Sequence, residues 1–240
     1  MKIAQYHEGE RVRLGLVEED FLIPLDVPDS MMEFIRDART CRRSGLRIPL
    51  QEVRLAPPIT QSGKIIAMSL NYMDHVEESK GTVPEVPLLF AKFPSSIIGH
   101  LDSIAWKTSV TGKVDFEAEL AVVIGKKITA ASEEQAQEAV FGYTCANDVS
   151  ARDLQFGDGQ WVRGKSLDTF CPMGPWVVTP DGIPDPHALK IRCLVNGVVM
   201  QDSSTSRMIF RLPQLIRFLS RHFTLFPGDI ILTGTPHGVG

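Results

Sequence analysis

Residues 115–125, with the sequence DFEAELAVVIG, are the stretch from which the fold can be argued most directly. Side chains two positions apart share one face of a strand, so Glu117 and Glu119 lie side by side while Leu120 points to the opposite face. The face that carries the two carboxylates becomes apolar at its next residue, Ala121. This pattern predicts a strand covered on both faces, with the two carboxylates lining a cavity; a solvated strand face is the alternative interpretation.

The paired carboxylates also indicate a bound cation. Two like charges held together in a low dielectric repel each other unless a cation neutralises them or one of them takes up a proton. Oxygen ligands without a nearby His or Cys at zinc-ligand spacing favour Mg²⁺, Mn²⁺ or Ca²⁺. Asp148 ends an apolar, strand-like stretch and is the candidate for a third carboxylate. The sequence therefore predicts a site for a hard divalent cation.

Arg152 follows Asp148 by four residues. Its guanidinium could form a bidentate pair with a substrate carboxylate that also reaches the metal, since this geometry fixes orientation as well as charge. A surface ion pair with Asp153 or Asp158 is the alternative.

A candidate general base lies in residues 71–78, with the sequence NYMDHVEE. His75 and Glu78 are three residues apart and so share one face of a helix. A carboxylate bonded to one ring nitrogen fixes the tautomer and raises the basicity of the other, as the activation of water requires. Such pairs also occur without a function on exposed helices. The turn-rich residues that follow, 82–87, are typical of a lid.

A candidate for charge stabilisation lies in residues 161–172, with the sequence WVRGKSLDTFCP. Lys165 stands in a largely uncharged run, and a buried ammonium beside a metal-bound carbonyl stabilises enolate or oxyanion charge. An exposed loop lysine is the alternative. Residues 233–238, TGTPHG, lack the lysine and the spacing of a phosphate-binding loop, so we expect a close backbone approach to a small ligand there.

The distribution of turn residues predicts two parts of unequal size. In residues 1–56 alternating stretches predict a small sheet, and Ser30 and Glu33 have the spacing of a capping box for a helix that ends near Gly45. In residues 57–240 strands dominate, Asn196-Gly197 predicts a two-residue hairpin, and helices are expected at 72–79, 132–141 and 212–222. The sequence predicts a β-rich α+β protein with a small N-terminal α/β appendage, residues 1–56, on a larger domain, residues 57–240.

Composition and charge exclude several classes of protein. The chain has 240 residues, of which 43% are hydrophobic and 22% charged, as in ordinary folded proteins. A formal charge of −4 without a long basic block argues against a nucleic-acid partner. Apolar stretches are too short for a membrane span, the N-terminus lacks the apolar core of a signal peptide, and the cysteines form no disulfide pattern. We therefore expect a cytoplasmic protein.

Together these motifs resemble the fumarylacetoacetate hydrolase family, in its branch of short bacterial and mitochondrial members. The resemblance runs in order through residues 63–240 and rests on Asn71-Tyr72 with His75, Glu117-Ala118-Glu119, residues 147–153 (NDVSARD), Gly164-Lys165-Ser166 with Cys171-Pro172, and Gly234-Thr235-Pro236. Ser69 and Gly157 depart from the family pattern, which often has glycine and a basic residue at these positions. Family members usually continue past Gly240, so we expect the catalytic domain here to lack its last strands.

The resemblance implies a mixed β-roll, a homodimer, and Mg²⁺ or Mn²⁺ holding the oxygens of a small 2-oxo acid. It implies that Glu117, Glu119 and Asp148 are metal ligands. It further implies that His75 with Glu78 activates water and that Lys165 stabilises the developing charge. Substrate-binding positions are implied for four residues, Tyr72, Arg152, Gln155 and Thr235.

Our first expectation for the reaction is the hydrolysis of a carbon–carbon bond in a 2,4-dioxo acid of the acylpyruvate or fumarylpyruvate type. The cation would chelate the carboxylate and 2-oxo oxygens and make the three-carbon fragment a good enolate leaving group. The same chelate would serve decarboxylation or tautomerisation of oxaloacetate, or isomerisation of a 2-hydroxyhepta-2,4-diene-1,7-dioate type of diacid. A binding module for 2-oxo acids without turnover is the alternative from a different class.

Overall fold

The structure is a computed structural model that describes residues 1–26, 30–36, 42–157 and 159–240. Within the N-terminal part, the described elements are β1 (Lys2–Glu8), β2 (Arg11–Glu18), β3 (Phe21–Asp26), α1 (Met31–Arg36), β4 (Arg42–Arg43), β5 (Ile48–Pro49) and β6 (Leu55–Ala56).

The larger part continues with strands that are interrupted by short helices. Up to residue 157 its elements are β7 (Ile65–Ser69), α2 (Met73–Ser79), β8 (Leu88–Lys92), β9 (Ile97–Ile98), β10 (Val114–Asp115), β11 (Ala118–Ile124), α3 (Glu133–Glu138), β12 (Val140–Asn147), β13 (Ser150–Ala151) and α4 (Arg152–Gly157). After residue 158 they are α5 (Trp161–Lys165), β14 (Cys171–Val178), β15 (Lys190–Val195), β16 (Val198–Ser204), α6 (Leu212–His222) and β17 (Ile230–Leu232).

One mixed sheet runs through both parts. Its strands follow the order β4-β3-β2-β1-β14-β12-β11-β17-β7-β8, with β5, β6 and β9 pairing beside this path. β1 joins the two parts because it pairs antiparallel with β14, with Lys2 opposite Val178. The pairs β17–β7 and β9–β14 are parallel. The β-rich α+β class is confirmed, while the domain boundary near residue 56 stays a prediction.

The centre of this sheet is covered on both faces, as the pattern of β11 predicts. Ala121 and Val123 belong to an apolar cluster that also contains side chains of the N-terminal strands. Val122 belongs to a second cluster on the opposite face, with Leu215 and Leu219 of α6. Because both faces are buried, β11 holds the residues at its start in a fixed place in the fold.

The predicted hairpin and the predicted ends of two helices can be compared with the structure. The Asn196-Gly197 hairpin between β15 and β16 is confirmed, with φ values of 51° and 80° at the two turn residues. The helix that Ser30 begins does not continue to Gly45, because Arg42–Arg43 form β4 and pair with β3. The helix expected at 132–141 ends at Glu138. Val140, which follows shortly after, already pairs with Ile124 in the sheet.

No helix in the described parts of the chain has the length and apolar character needed to cross a membrane.

Candidate metal centre and active site

Three carboxylates from two adjacent segments of the chain converge near the start of β11. Ala118 pairs with Asn147, which brings Glu117 and Glu119 next to Asp148, the residue that follows β12. One carboxylate oxygen from each side chain lies within 4.8 Å of the other two. All three residues are buried, with exposed fractions of 8%, 2% and 0% in chain order. The structure thus brings together the acidic residues that the sequence analysis proposed as metal ligands.

The predicted continuous strand is interrupted at Glu117, which lies between β10 and β11. The Glu117 N–H donates to Oδ1 of Asn147 at 2.9 Å, and its carbonyl accepts from the N–H of Asp148 at 2.9 Å. At this point these two bonds replace the regular hydrogen-bond pattern between paired strands. They fix the backbone of both carboxylate-bearing segments relative to each other.

Two buried lysines contact the carboxylate cluster. Nζ of Lys165 lies 2.8 Å from Oε2 of Glu117 and 2.7 Å from Oδ2 of Asp148. Nζ of Lys92, at the end of β8, lies 2.6 Å from Oδ1 of Asp148 and also donates to the carbonyl of Lys165. Lys165 is therefore buried in the site, and the alternative of an exposed loop lysine is wrong.

These ion pairs determine the charge states of their members. Burial favours the neutral amine of Lys165, but Asp148 and Glu117 outweigh burial and raise the pKa of this lysine. Burial also opposes the charge of Asp148, yet Lys165 and Lys92 outweigh it and lower the pKa of this carboxyl group. Lys165 is therefore an ammonium and Asp148 a carboxylate near neutral pH.

Glu119 differs from its neighbours because its charge is poorly compensated. Its Oε2 accepts a hydrogen bond from the N–H of Gly234 at 2.7 Å, but its buried Oε1 has no partner among the described residues. Burial, with the charges of Asp148 and Glu117, raises the pKa of Glu119 well above its usual value. An unpartnered buried carboxylate oxygen is costly. A divalent cation held by oxygen ligands fits this site, because it would give that atom a partner and offset the charge.

Arg152 lies beside the cluster at the start of α4. Its Nε donates to Oδ2 of Asp115 at 2.8 Å, and its Nη2 donates to the same oxygen. Its Nη1 donates to Oε1 of Glu117 at 2.6 Å and to Oε1 of Gln155 at 3.0 Å. Of the two alternative partners, Asp153 instead accepts from Oγ1 of Thr111 and from the N–H of Gly112, and Asp158 lies outside the described residues. Because four of the five guanidinium N–H groups have protein acceptors, a forked contact with a substrate carboxylate would require the Asp115 pair to open.

His75 and Glu78 share one face of α2, as their spacing predicts. Nδ1 of His75 lies 3.4 Å from Oε2 of Glu78, and both carboxylate oxygens of Glu78 accept from the N–H of Gly238 at 3.1 Å. Gly238 has a φ of +90°, and a Cβ there would lie 2.2 Å from the carbonyl oxygen of Met200. Only glycine therefore allows the loop to approach Glu78 in this way.

A cavity of about 900 Å³ joins these groups. Among its lining residues are six that the sequence analysis singled out: His75, Glu117, Arg152, Gln155, Lys165 and Thr235. Its apolar wall is formed by Met68, Phe90, Phe156 and Trp161, among others. Nζ of Lys165 lies 5.0 Å from the centre of the Phe90 ring. One cavity thus brings a candidate base, a buried ammonium and one of the three carboxylates together.

Like Arg152, the expected substrate-binding residues Thr235 and Tyr72 contact other parts of the protein. Oγ1 of Thr235 donates to the carbonyl of Ala118 at 2.9 Å and accepts from Nε2 of Gln201 at 2.8 Å. Tyr72 is fully buried in the second apolar cluster. The substrate-binding roles of both residues stay predictions.

The sequence motifs do not point to Lys92 and indicate no role for Asp115. A lysine that ends the apolar strand Leu88–Lys92 is an unusual feature, and it was the available signal for a buried partner. Asp115 shares the carboxylate face of the opening stretch, but its pairing with Arg152 depends on a contact between residues 37 positions apart.

Comparison with known proteins gives matches over both parts of the chain. Residues 64–240 match the family model described as fumarylacetoacetate (FAA) hydrolase C-terminal, and residues 1–58 match a model described as Rv2993c-like, N-terminal. The mitochondrial oxaloacetate tautomerase Fahd2a of Rattus norvegicus is 45% identical over 235 residues, which cover 94% of this chain and 74% of the rat protein.

Solved structures agree with this result. A 5-carboxymethyl-2-hydroxymuconate delta-isomerase from Mycobacterium smegmatis is 38% identical, with a TM-score of 0.86 over 100% of this chain and 90% of the other. A fumarylacetoacetate hydrolase from psychrophilic Exiguobacterium antarcticum is 37% identical, with a TM-score of 0.88 over 100% of this chain and 88% of the other.

Proposed function

Because the chain belongs to the fumarylacetoacetate hydrolase family, we propose that it is a metal-dependent enzyme that interconverts the keto and enol forms of a small 2-oxo diacid. Oxaloacetate is the substrate that the name of the rat relative suggests. The observation that carries the proposal is the buried set of Glu117, Glu119 and Asp148, beside a cavity that also contains a base and an ammonium.

Glu117, Glu119 and Asp148 would hold Mg²⁺ or Mn²⁺. Such an ion would supply positive charge that polarises the carbonyl group of the acid and makes the adjacent C–H bond more acidic. The unpartnered Oε1 of Glu119 supports this assignment, since it is the buried ligand atom without a contact among the described residues.

His75 would transfer the proton. Its Nδ1 faces Glu78, so in the proposed tautomer this nitrogen carries the hydrogen and Nε2 accepts a proton from the carbon next to the carbonyl. Glu78 is itself held by the N–H of Gly238, which keeps the tautomer and ring orientation of His75 fixed. Loss of this proton leaves an enolate, and a proton from solvent on its oxygen gives the enol. Return of a proton from Nε2 to the carbon, with loss of the proton on oxygen to solvent, gives the keto form back.

Lys165 would stabilise the oxygen on which negative charge develops. Its two carboxylate partners keep it protonated in spite of its burial, so it can donate hydrogen bonds at neutral pH. The preorganised charge of an ammonium in a closed site is a strong source of such stabilisation.

A second candidate function is the expected hydrolysis of a carbon–carbon bond in a 2,4-dioxo acid. The contact between His75 and Glu78 favours this hydrolysis, because Nε2 of His75 could activate water for attack on the second carbonyl group. The name of the Exiguobacterium structure also supports this reaction class. The homodimer and the cytoplasmic location stay predictions, and the rat relative is mitochondrial by name.

The test is to add the protein with Mg²⁺ to oxaloacetate, acetylpyruvate and a hydroxymuconate analogue, and to follow the ultraviolet band of the enol and the products formed. We expect faster keto–enol exchange of oxaloacetate, and its loss in Glu119→Gln. Glu133→Gln, which removes a carboxylate from an exposed ion pair, is the matched control. If metal binds but none of the three acids reacts, the protein is a binding module and the proposal is wrong.

A further inference from the structure

Helix α2 carries His75, but few interactions within the helix itself stabilise it. It is only seven residues long, and helices of this length are marginal without tertiary contacts. Glu77 and Glu78 lie in its last turn, where negative charge opposes the helix dipole, and this described helix has no basic residue in that turn. Its N-cap, Tyr72, makes no side-chain capping bond. The position of α2 therefore depends on contacts with other segments.

One segment, residues 203–210, lies beside the two residues that precede α2. Tyr72 forms an antiparallel bridge with Met208. The N–H of Ile209 donates to the carbonyl of Asn71 at 2.8 Å, and the N–H of Phe210 donates to Oδ1 of Asn71 at 2.8 Å. These bonds fix the residues that precede the helix.

Two side chains of the same segment contact the helix itself. Oγ of Ser203 donates to Oδ2 of Asp74, whose Oδ1 accepts from the N–H of His75 at 2.9 Å. Nη2 of Arg207 donates to both carboxylate oxygens of Glu77, at 3.1 and 3.0 Å. Ser203 thus contacts the first turn of α2, and Arg207 supplies the positive charge that its last turn lacks.

We propose that Ser203 and Arg207 are positioning residues, which hold both ends of α2 and so place the His75 ring toward the cavity. Both residues act through Asp74 and Glu77, outside the cavity wall described above. The inference rests on the proposed function insofar as His75 is the base.

The first test measures hydrogen exchange of the amides of residues 73–81 in the Mg²⁺-loaded protein, which requires no substrate. Arg207→Gln and Ser203→Ala should each raise exchange in α2 by about two- to fivefold, as expected for the loss of one partly exposed polar contact. Arg217→Gln breaks a similarly exposed pair with Glu133 and should leave exchange in α2 unchanged. The charge-swapped double variant Glu77→Arg with Arg207→Glu should restore protection. Unchanged exchange in both single variants would overturn the proposal.

The second test separates the positioning of His75 from a merely structural role. In Arg207→Gln we expect kcat to fall about two- to fivefold with little change in KM, and the charge swap to recover it. If exchange rises while kcat and the ¹⁵N spectrum of the His75 ring stay those of the wild type, the segment does not position the base and the proposal is wrong. If the protein has no turnover at all, the proposed function fails, and the ¹⁵N tautomer signal of His75 alone decides the inference.

Discussion

Nζ of Lys92 lies 2.6 Å from Oδ1 of Asp148, and both side chains are completely buried. This contact ties β8, near the edge of the sheet, to the candidate metal centre. Lys92 also donates to the carbonyl of Lys165, so one ammonium connects a metal-ligand candidate to the segment that carries the charge-stabilising lysine.

We expect Lys92→Met to destabilise the protein strongly. Removal of one partner from a buried ion pair typically costs about 3–5 kcal/mol. Because Asp148 keeps its contact with Lys165, we expect a loss toward the lower end of this range. The measurement is the free energy of unfolding in urea. Lys126→Met is the control, since its ion pair with Glu138 is exposed and should contribute almost nothing. Equal stability of the two variants would contradict the importance assigned to Lys92.

His75→Gln should lower the rate of proton transfer while metal binding stays intact. A positioned general base typically contributes about 10²–10⁴-fold, so we expect a loss of kcat in this range. We expect a smaller loss of kcat in Glu78→Gln, because the base is retained and only its orientation and basicity change. His222→Gln, an exposed histidine near the end of α6, is the control. Metal affinity, measured by calorimetry, should be the same in all of these proteins.

The variant His75→Ala also distinguishes the candidate reactions. Hydrolysis of a 2,4-dioxo acid requires an activated water, so we expect it to be abolished in His75→Ala. Metal-assisted decarboxylation of oxaloacetate requires no base at that position and should partly survive. A variant that keeps full hydrolytic activity would remove His75 from the mechanism.

A fourth prediction concerns stability at low pH. Nε2 of His187 accepts from the N–H of Leu212 at the start of α6, and protonation of the ring would destroy this acceptor. Burial, helped by the charge of Arg211, lowers the pKa of His187 below its usual value. The unfolded chain therefore binds this proton more readily than the folded protein. The contribution of His187 to stability is present above about pH 6.5, and it is lost as the pH falls below that value.

The measurement is the urea midpoint at pH 7.5 and pH 5.5. We expect a smaller decrease in His187→Gln than in the wild type, because an amide oxygen can accept from Leu212 without titrating. An identical decrease in the two proteins would show that His187 does not contribute to the pH dependence.

The local part of the site could be predicted from the sequence because it follows from short-range geometry. The alternation in β11 places Glu117 and Glu119 on one face, and a spacing of three places His75 beside Glu78. The Asn196-Gly197 hairpin follows from the positive φ that both turn positions require. Several motifs that occur in the same order as in the fumarylacetoacetate hydrolase family extended the prediction to the family and to its β-rich fold.

The partners of the charged groups could not be predicted in the same way. The sequence suggests a substrate carboxylate or a sequence neighbour as the partner of Arg152, but no pattern in it points to Asp115, with which Arg152 pairs across 37 positions. Lys92 meets Asp148 across 56 positions. Such pairs depend on which strands the sheet brings together, and a periodic pattern along one segment does not contain that information.

Manganese anomalous diffraction tests the central claim most directly. Crystals soaked in Mn²⁺ should show an anomalous peak among the carboxylate oxygens of Glu117, Glu119 and Asp148, and crystals of Glu119→Gln soaked in the same way should show a weaker peak or none. An absent peak at saturating Mn²⁺ in the wild type, or a peak that these three side chains do not contact, would contradict the metal centre and the enzyme proposed from it.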